Sequence, residues 1–216
     1  MKTGETCKLN IRRLKLKEIK DIYRKHLVHD FPLDERRPFP RIAKHYREHR
    51  YEGFGGYSEA GELLCYAMFY VKTGPGGRRV CLFDYLAVVA GFRDGGVGSA
   101  FLKGLGKMFP RTGCAFVEVE DPERAADPNQ RSERERRMQF YLRNGFLDTG
   151  LNARVFGVDY RILEVPLPAN ADWHIHSTEE MRRDCEMVYQ SMFPRIVYDR
   201  FCELYKAAGD KSPDIQ

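Results

Sequence analysis

The chain lacks any run of about 18 apolar residues, so no membrane-spanning helix is expected, and its opening Met1-Lys2-Thr3-Gly4-Glu5 has no apolar secretory stretch. Cysteine is thinly spread. Cys7, Cys65, Cys81, Cys114, Cys185 and Cys202 never form a C-x-x-C pair, and most stand in apolar strand or helix patterns. That excludes a disulfide framework or a zinc knot and reads as reduced core thiols in a cytoplasm. His174-x-His176 stands alone in a turn-like stretch and reads as solvated, so no metal is expected. Gly-Lys-Ser/Thr is absent, which excludes a phosphate loop of the NTPase kind, and G-x-G-x-x-G fails because Phe101 stands where the last glycine is needed. Neither a repeat nor a low-complexity tract occurs. The net charge of +5 is mild and comes with no aromatic interleaving, so neither a nucleic acid nor a membrane is an expected partner.

Among what is present, residues 81–101 say most. An apolar, β-rich run from Leu82 to Val89 meets Arg93 and then Gly95, Gly96 and Gly98. Val97, Phe101, Leu105 and Met108 follow at helical spacing. A strand that turns through glycines into a helix start aims unpaired backbone N–H groups and the positive dipole end at one point, which suits phosphate. Side chains there would block the approach of a pyrophosphate, and glycine removes them.

Arg93-x-x-Gly96-x-Gly98 resembles the R/Q-x-x-G-x-G/A signature of the GNAT superfamily of N-acetyltransferases, and it follows the apolar strand Tyr85-Leu86-Ala87-Val88 as it does there. Residues 138–146, Met-Gln-Phe-Tyr-Leu-Arg-Asn-Gly-Phe, resemble that family's Y-x-x-x-G-F segment near the end of its fourth main helix. The alternating strand Cys114–Glu120 lies between the two, in the family's order. The resemblance covers residues 7–166 and implies an α+β GNAT fold: a mixed, mostly antiparallel sheet of about seven strands flanked by helices. It also implies acetyl-CoA as cosubstrate, whose phosphates give a mild basic excess a small-molecule reason.

Site roles follow from the resemblance. Leu86 would offer its N–H to the thioester oxygen. Ala87 and Val88 would pair with the pantetheine arm, while Arg93, Asp94, Gly95, Gly96, Val97, Gly98 and Ser99 would hold the pyrophosphate. Tyr141 matches the tyrosine that protonates the leaving thiolate, and a free phenol of pKa about 10 lies near a thiol. Glu118 stands at the strand-five position where relatives carry a glutamate and is the expected base. Glu120 and Asp84 remain alternatives, as does a water chain. Strand alternation puts Phe116, Glu118 and Glu120 on one face, with Val117 and Val119 expected under helices and the glutamates toward an acceptor groove. One departure stands out: Arg134 occupies the place of a usual asparagine, seven residues before Tyr141. The acceptor would be a small-molecule or peptide amine. The alternative is a non-catalytic acyl-CoA-binding module on the same fold.

The rest of the chain reads as supporting elements. Leu9 and Ile11, with Cys7, suggest a first strand, and Leu16, Ile19, Ile22, Tyr23 and Leu27 a helix. A loop from His29 to Pro40 precedes a short helix near residues 41–50. Residues 51–58 and 62–71 form a hairpin, Gly74-Pro75-Gly76-Gly77 a turn, and residues 146–156 and 160–165 a second hairpin. Ser132-x-x-Glu135 reads as a capping box opening the fourth helix, and most of Arg131, Arg134, Arg136 and Arg137 as its solvated face. The acetyltransferase domain is placed at residues 1–168, with a helical extension at 169–216 packed on it. In that tail Ser177-x-x-Glu180 caps a helix bearing Met181, Cys185, Val188, Tyr189 and Met192. Pro194 opens another with Ile196, Val197, Phe201, Leu204 and Tyr205, ending near Gly209. These faces pad the core, extend over the active site or make a homodimer contact, and padding is the expectation.

Overall fold

The computed structural model describes residues 8–33, 35–93, 95–108, 112–167 and 173–206. Among the described residues, eight strands in a mixed sheet and their flanking helices make an α+β fold. The chain falls into two compact units, residues 1–71 with 83–110, and residues 72–82 with 111–216. Among the described residues no helix is long and apolar enough to cross a membrane.

In the first unit the strand order is β1 (Asn10–Arg13), β2 (Tyr51–Tyr57), β3 (Leu63–Thr73) and β4 (Arg79–Val88), the last two crossing into the other unit. β1 and β2 pair antiparallel with Asn10 opposite Tyr57, and β2 pairs β3 with Tyr51 opposite Tyr70. β3 is buried without alternation from Leu64 to Val71, the pattern of a strand covered on both faces. Phe69 meets Phe54 and Phe83 edge-on at 5.7 and 4.4 Å, joining three strands through aromatic pairs. Helix α1 (Leu16–Ile22) continues through a π-turn, Tyr23–Leu27, into Val28–Asp30, so the helical run reaches further than the expected loop at His29. Helix α2 is Phe39–Arg47 and helix α3 is Val97–Leu105. Phe101 of α3 comes down on β2 at Gly56, where a Cβ would lie 2.5 Å from the Cys65 sulfur and 3.0 Å from the Phe101 ring.

In the second unit the order is β5 (Thr112–Glu120), β7 (Val158–Glu164), β6 (Leu147–Val155) and β8 (Cys202–Lys206), all antiparallel neighbours. Helix α4, Pro128–Arg143, starts one turn earlier than the Ser132 reading. Asp127 is its N-cap, accepting from the N–H groups of Asn129 and Gln130 at 2.8 and 2.9 Å, and Pro128 pre-sets the first helical φ. Glu135 instead pairs with Arg131 at 2.9 Å along the helix. The tail opens as expected: Ser177 and Glu180 form the capping box of helix α5, Thr178–Met192, whose Met181, Cys185, Val188, Tyr189 and Met192 are all buried. Helix α6, Arg195–Phe201, is short and stops well before Gly209, which lies outside the described residues. Cys202–Lys206 is a strand rather than helix, paired to β6 with Val155 opposite Cys202. It makes the strand count eight among the described residues rather than about seven, and it pairs the backbone edge of β6. Ile196 and Phe201, expected on an apolar face, are exposed.

Candidate functional site

In the first unit, β4 delivers Leu86, Ala87 and Val88, each half-buried, to a 3-10 turn at Ala90–Phe92. The chain then reverses at Gly96, whose φ of +74° is left-handed and serves as N-cap of α3. A Cβ at Gly96 would meet nothing within 4 Å, so the glycine is there for its backbone angle and for open approach. Among the described residues no side chain caps this helix and its first turn holds no acid, so the N–H groups of Val97, Gly98 and Ser99 are available to an outside acceptor. A diphosphate fits such a cradle. Arg93 is anchored within this unit: it donates to Asp30 at 2.8 Å and to the Val88 carbonyl at 3.2 Å, and Asp30 also accepts from Tyr66 at 2.9 Å. Asp94 lies outside the described residues.

Asp84 on β4 is closed on both oxygens. Arg37 grips it bidentately at 3.1 and 3.0 Å and the Tyr51 hydroxyl donates to it at 2.5 Å. Burial pushes the Tyr51 phenol well up, and the Asp84 charge adds to this, so it remains a donor.

In the second unit Tyr141 is buried between Phe140 and Phe146, ring centres 5.3 and 5.0 Å away, and burial pushes its phenol up to about 12. Arg134 is no part of a solvated face. It is buried, donating to the Asp121 carbonyl at 3.0 Å and to Glu120 at 2.9 Å, and Arg137 takes the other oxygen of Glu120 at 2.8 Å. Arg131 does lie exposed, in the expected i, i+4 pair. Glu118 accepts the hydroxyl of Tyr189 from α5. Phe116, two residues earlier on the same strand face, meets the Tyr189 ring at 6.4 Å. From Cys114 to Glu118 this face of β5 therefore packs against the tail helix, and Glu120 against α4, where strand alternation had suggested glutamates facing an acceptor groove. Of the three candidate bases, two are bound by guanidinium groups and Glu118 by a neutral phenol.

Composition hid a buried polar network in this unit. His174 is exposed, but His176 is buried, contrary to the solvated reading. Its Nδ1 lies 2.7 Å from Glu164, which also accepts from the Trp173 indole at 2.8 Å and the His176 backbone N–H at 3.1 Å. His176 Nε2 faces the Arg78 guanidinium at 2.9 Å, which makes Nε2 the acceptor and Nδ1 the protonated nitrogen. Arg78 also grips Asp184 through two bonds of 2.7 Å. The donor atoms of Cys114, His176 and Asp184 lie within 4.8 Å of one another, a spacing a metal ion could use. In this structure, however, the Arg78 guanidinium stands between His176 and Asp184 and supplies the positive charge. Gly113 is the available sequence signal, since a Cβ there would lie 2.5 Å from Arg78 Nε.

No protein-family model and no curated protein matches this chain in sequence. Solved structures do match in fold. A Bacteroides thetaiotaomicron protein described as a GNAT-family acetyltransferase superposes with a TM-score of 0.59 at 18% identity, covering 83% of this chain and 97% of that one. The spermidine/spermine N-acetyltransferase of Vibrio cholerae does so with a TM-score of 0.53 at 12% identity, over 74% and 93%. The ribosomal-protein-S18-alanine N-acetyltransferase of Escherichia coli gives 0.50 at 17% identity, over 74% and 94%. The chain has the fold of the GNAT acetyltransferases.

Proposed function

We propose that this GNAT-fold chain is a cytoplasmic acetyl-CoA-dependent N-acetyltransferase that acetylates a primary amine by direct attack. The observation that carries the reading is the uncapped N-terminus of α3 behind Gly96, at the end of the strand that bears Leu86, Ala87 and Val88. The amides of Val97, Gly98 and Ser99, with Gly95 and Gly96 clearing their approach, would bind the pyrophosphate, with Arg93 held beside them by Asp30. Acetyl-CoA supplies an activated acyl group on a thiol leaving group. The amine nitrogen forms a bond to the acyl carbon as the carbon–sulfur bond breaks. The surplus amine proton passes to Glu118 and the departing sulfur takes a proton from Tyr141. The Leu86 N–H would receive the charge that develops on the carbonyl oxygen. Solved proteins of this fold carry names for both small polyamine and protein N-terminal acceptors, so the fold leaves the acceptor open.

Calorimetry with CoA tests the reading first. Binding in the micromolar range is expected, with Gly98→Asp abolishing it because a carboxylate would stand against phosphate. No heat of binding to the folded chain at millimolar CoA removes the proposal.

A further inference from the structure

From Cys114 to Glu118, the face of β5 that bears Glu118 is covered by one helix, while Glu120 at the strand's end is held by Arg134 and Arg137 of α4. Cys114, Phe116 and Glu118 alternate on that face, and α5 meets them in turn. The Cys114 thiol donates to the Met181 sulfur at 3.9 Å, the Phe116 ring meets Tyr189, and the Tyr189 hydroxyl donates to Glu118. Tyr189 itself is 1% exposed.

This cover is fastened at many points. Asp184 is gripped by the partly exposed Arg78, and His176 by Glu164 in the interior. Thr178 donates to the Thr149 carbonyl and Arg182 to the Leu204 carbonyl, each at 2.7 Å, tying the helix to β6 and β8. A helix tied in this way to β6, to β8 and to the turn before β4 is a fixed part of its unit.

We propose that α5 is a fixed roof over Glu118, that the acceptor is consequently a small alkylamine and not an amine carried on a polypeptide, and that Tyr189 is the residue that sets this limit. A peptide acceptor brings flanking backbone at about 3.3 Å per residue on its attached side, which requires an open groove beside the base. A small amine needs only a narrow passage. The inference rests on Glu118 being the base, as proposed above.

The test uses the whole chain at fixed acetyl-CoA, with free thiol as readout. One set of acceptors is spermidine, 1,3-diaminopropane and ethanolamine; the other is hexapeptides with either a free N-terminus or an internal lysine. At least a 100-fold higher kcat/KM for the best small amine is expected. Tyr189→Ala should narrow that ratio at least tenfold by raising peptide turnover, with CoA affinity unchanged; Tyr189→Leu serves if the alanine variant fails to fold. Peptide turnover equal to or above that of the small amines overturns the proposal. So does an unchanged ratio in the Tyr189 variants, which would leave the transferase reading intact. CoA binding without turnover on either set removes the transferase reading and this proposal with it.

Discussion

At the scale of single residues, Tyr141 differs between its free and buried forms in a way that bears on its role. A free phenol is well matched to a thiolate, but burial between two phenylalanines pushes this one up to about 12. It therefore stays protonated throughout the neutral range and gives up its proton readily only to a base that is itself desolvated. If it is the acid, Tyr141→Phe should lower kcat by about 10²–10⁴-fold while leaving CoA affinity nearly unchanged. Stopped assays and calorimetry on the same preparation separate the two, and an equal loss in both would make Tyr141 a packing residue. Arg134 teaches a related lesson. Its charge suggested solvent, yet Glu120 and the Asp121 carbonyl hold it inside.

At the scale of elements, two helix-start signals competed within a few residues. Ser132-x-x-Glu135 matches the capping box, but Asp127-Pro128 satisfies two N–H groups and fixes the first φ, so the helix begins there. Asp127→Ala should cost about 1 kcal/mol of stability. Ser132→Ala should change it by less than about 0.5 kcal/mol, as an exposed helical position does. Urea unfolding of both variants distinguishes the two starts, and the reverse order would restore Ser132 as the cap. The strand β8 is the other surprise. Cys202–Lys206 continues an apolar helical spacing on paper, yet it lies along the edge of β6 as a strand.

At the scale of the whole chain, the tail is joined to its unit by the Arg78, His176, Glu164 and Asp184 network. Arg78 comes from the turn between β3 and β4, far from the tail in sequence. Arg78→Met would leave Asp184 without its cation. The expected loss is roughly 3 kcal/mol in urea unfolding, the lower end for a broken buried pair because Arg78 is partly exposed. Adding Asp184→Leu should recover part of that loss, since the stranded charge is then gone. Two losses that simply add would show the pair to be independent.

The sequence by itself determined the glycine turn, both hairpins, the order of strands and helices through residue 166, and the capped start of α5. Each rests on neighbours in the chain: φ preferences at glycine and proline, strand and helix periods, and a Ser–Glu pair three residues apart. The positions of Glu118, Glu120 and Asp84 were equally legible, but not their partners. Tyr189, Arg134 with Arg137, and Arg37 with Tyr51 reach those carboxylates across 14 to 71 residues of chain. Only the tertiary structure decided which carboxylate meets a phenol and which a guanidinium, and that His176 is buried. Such pairings are chosen by desolvation and charge in the folded interior, where no local pattern records them.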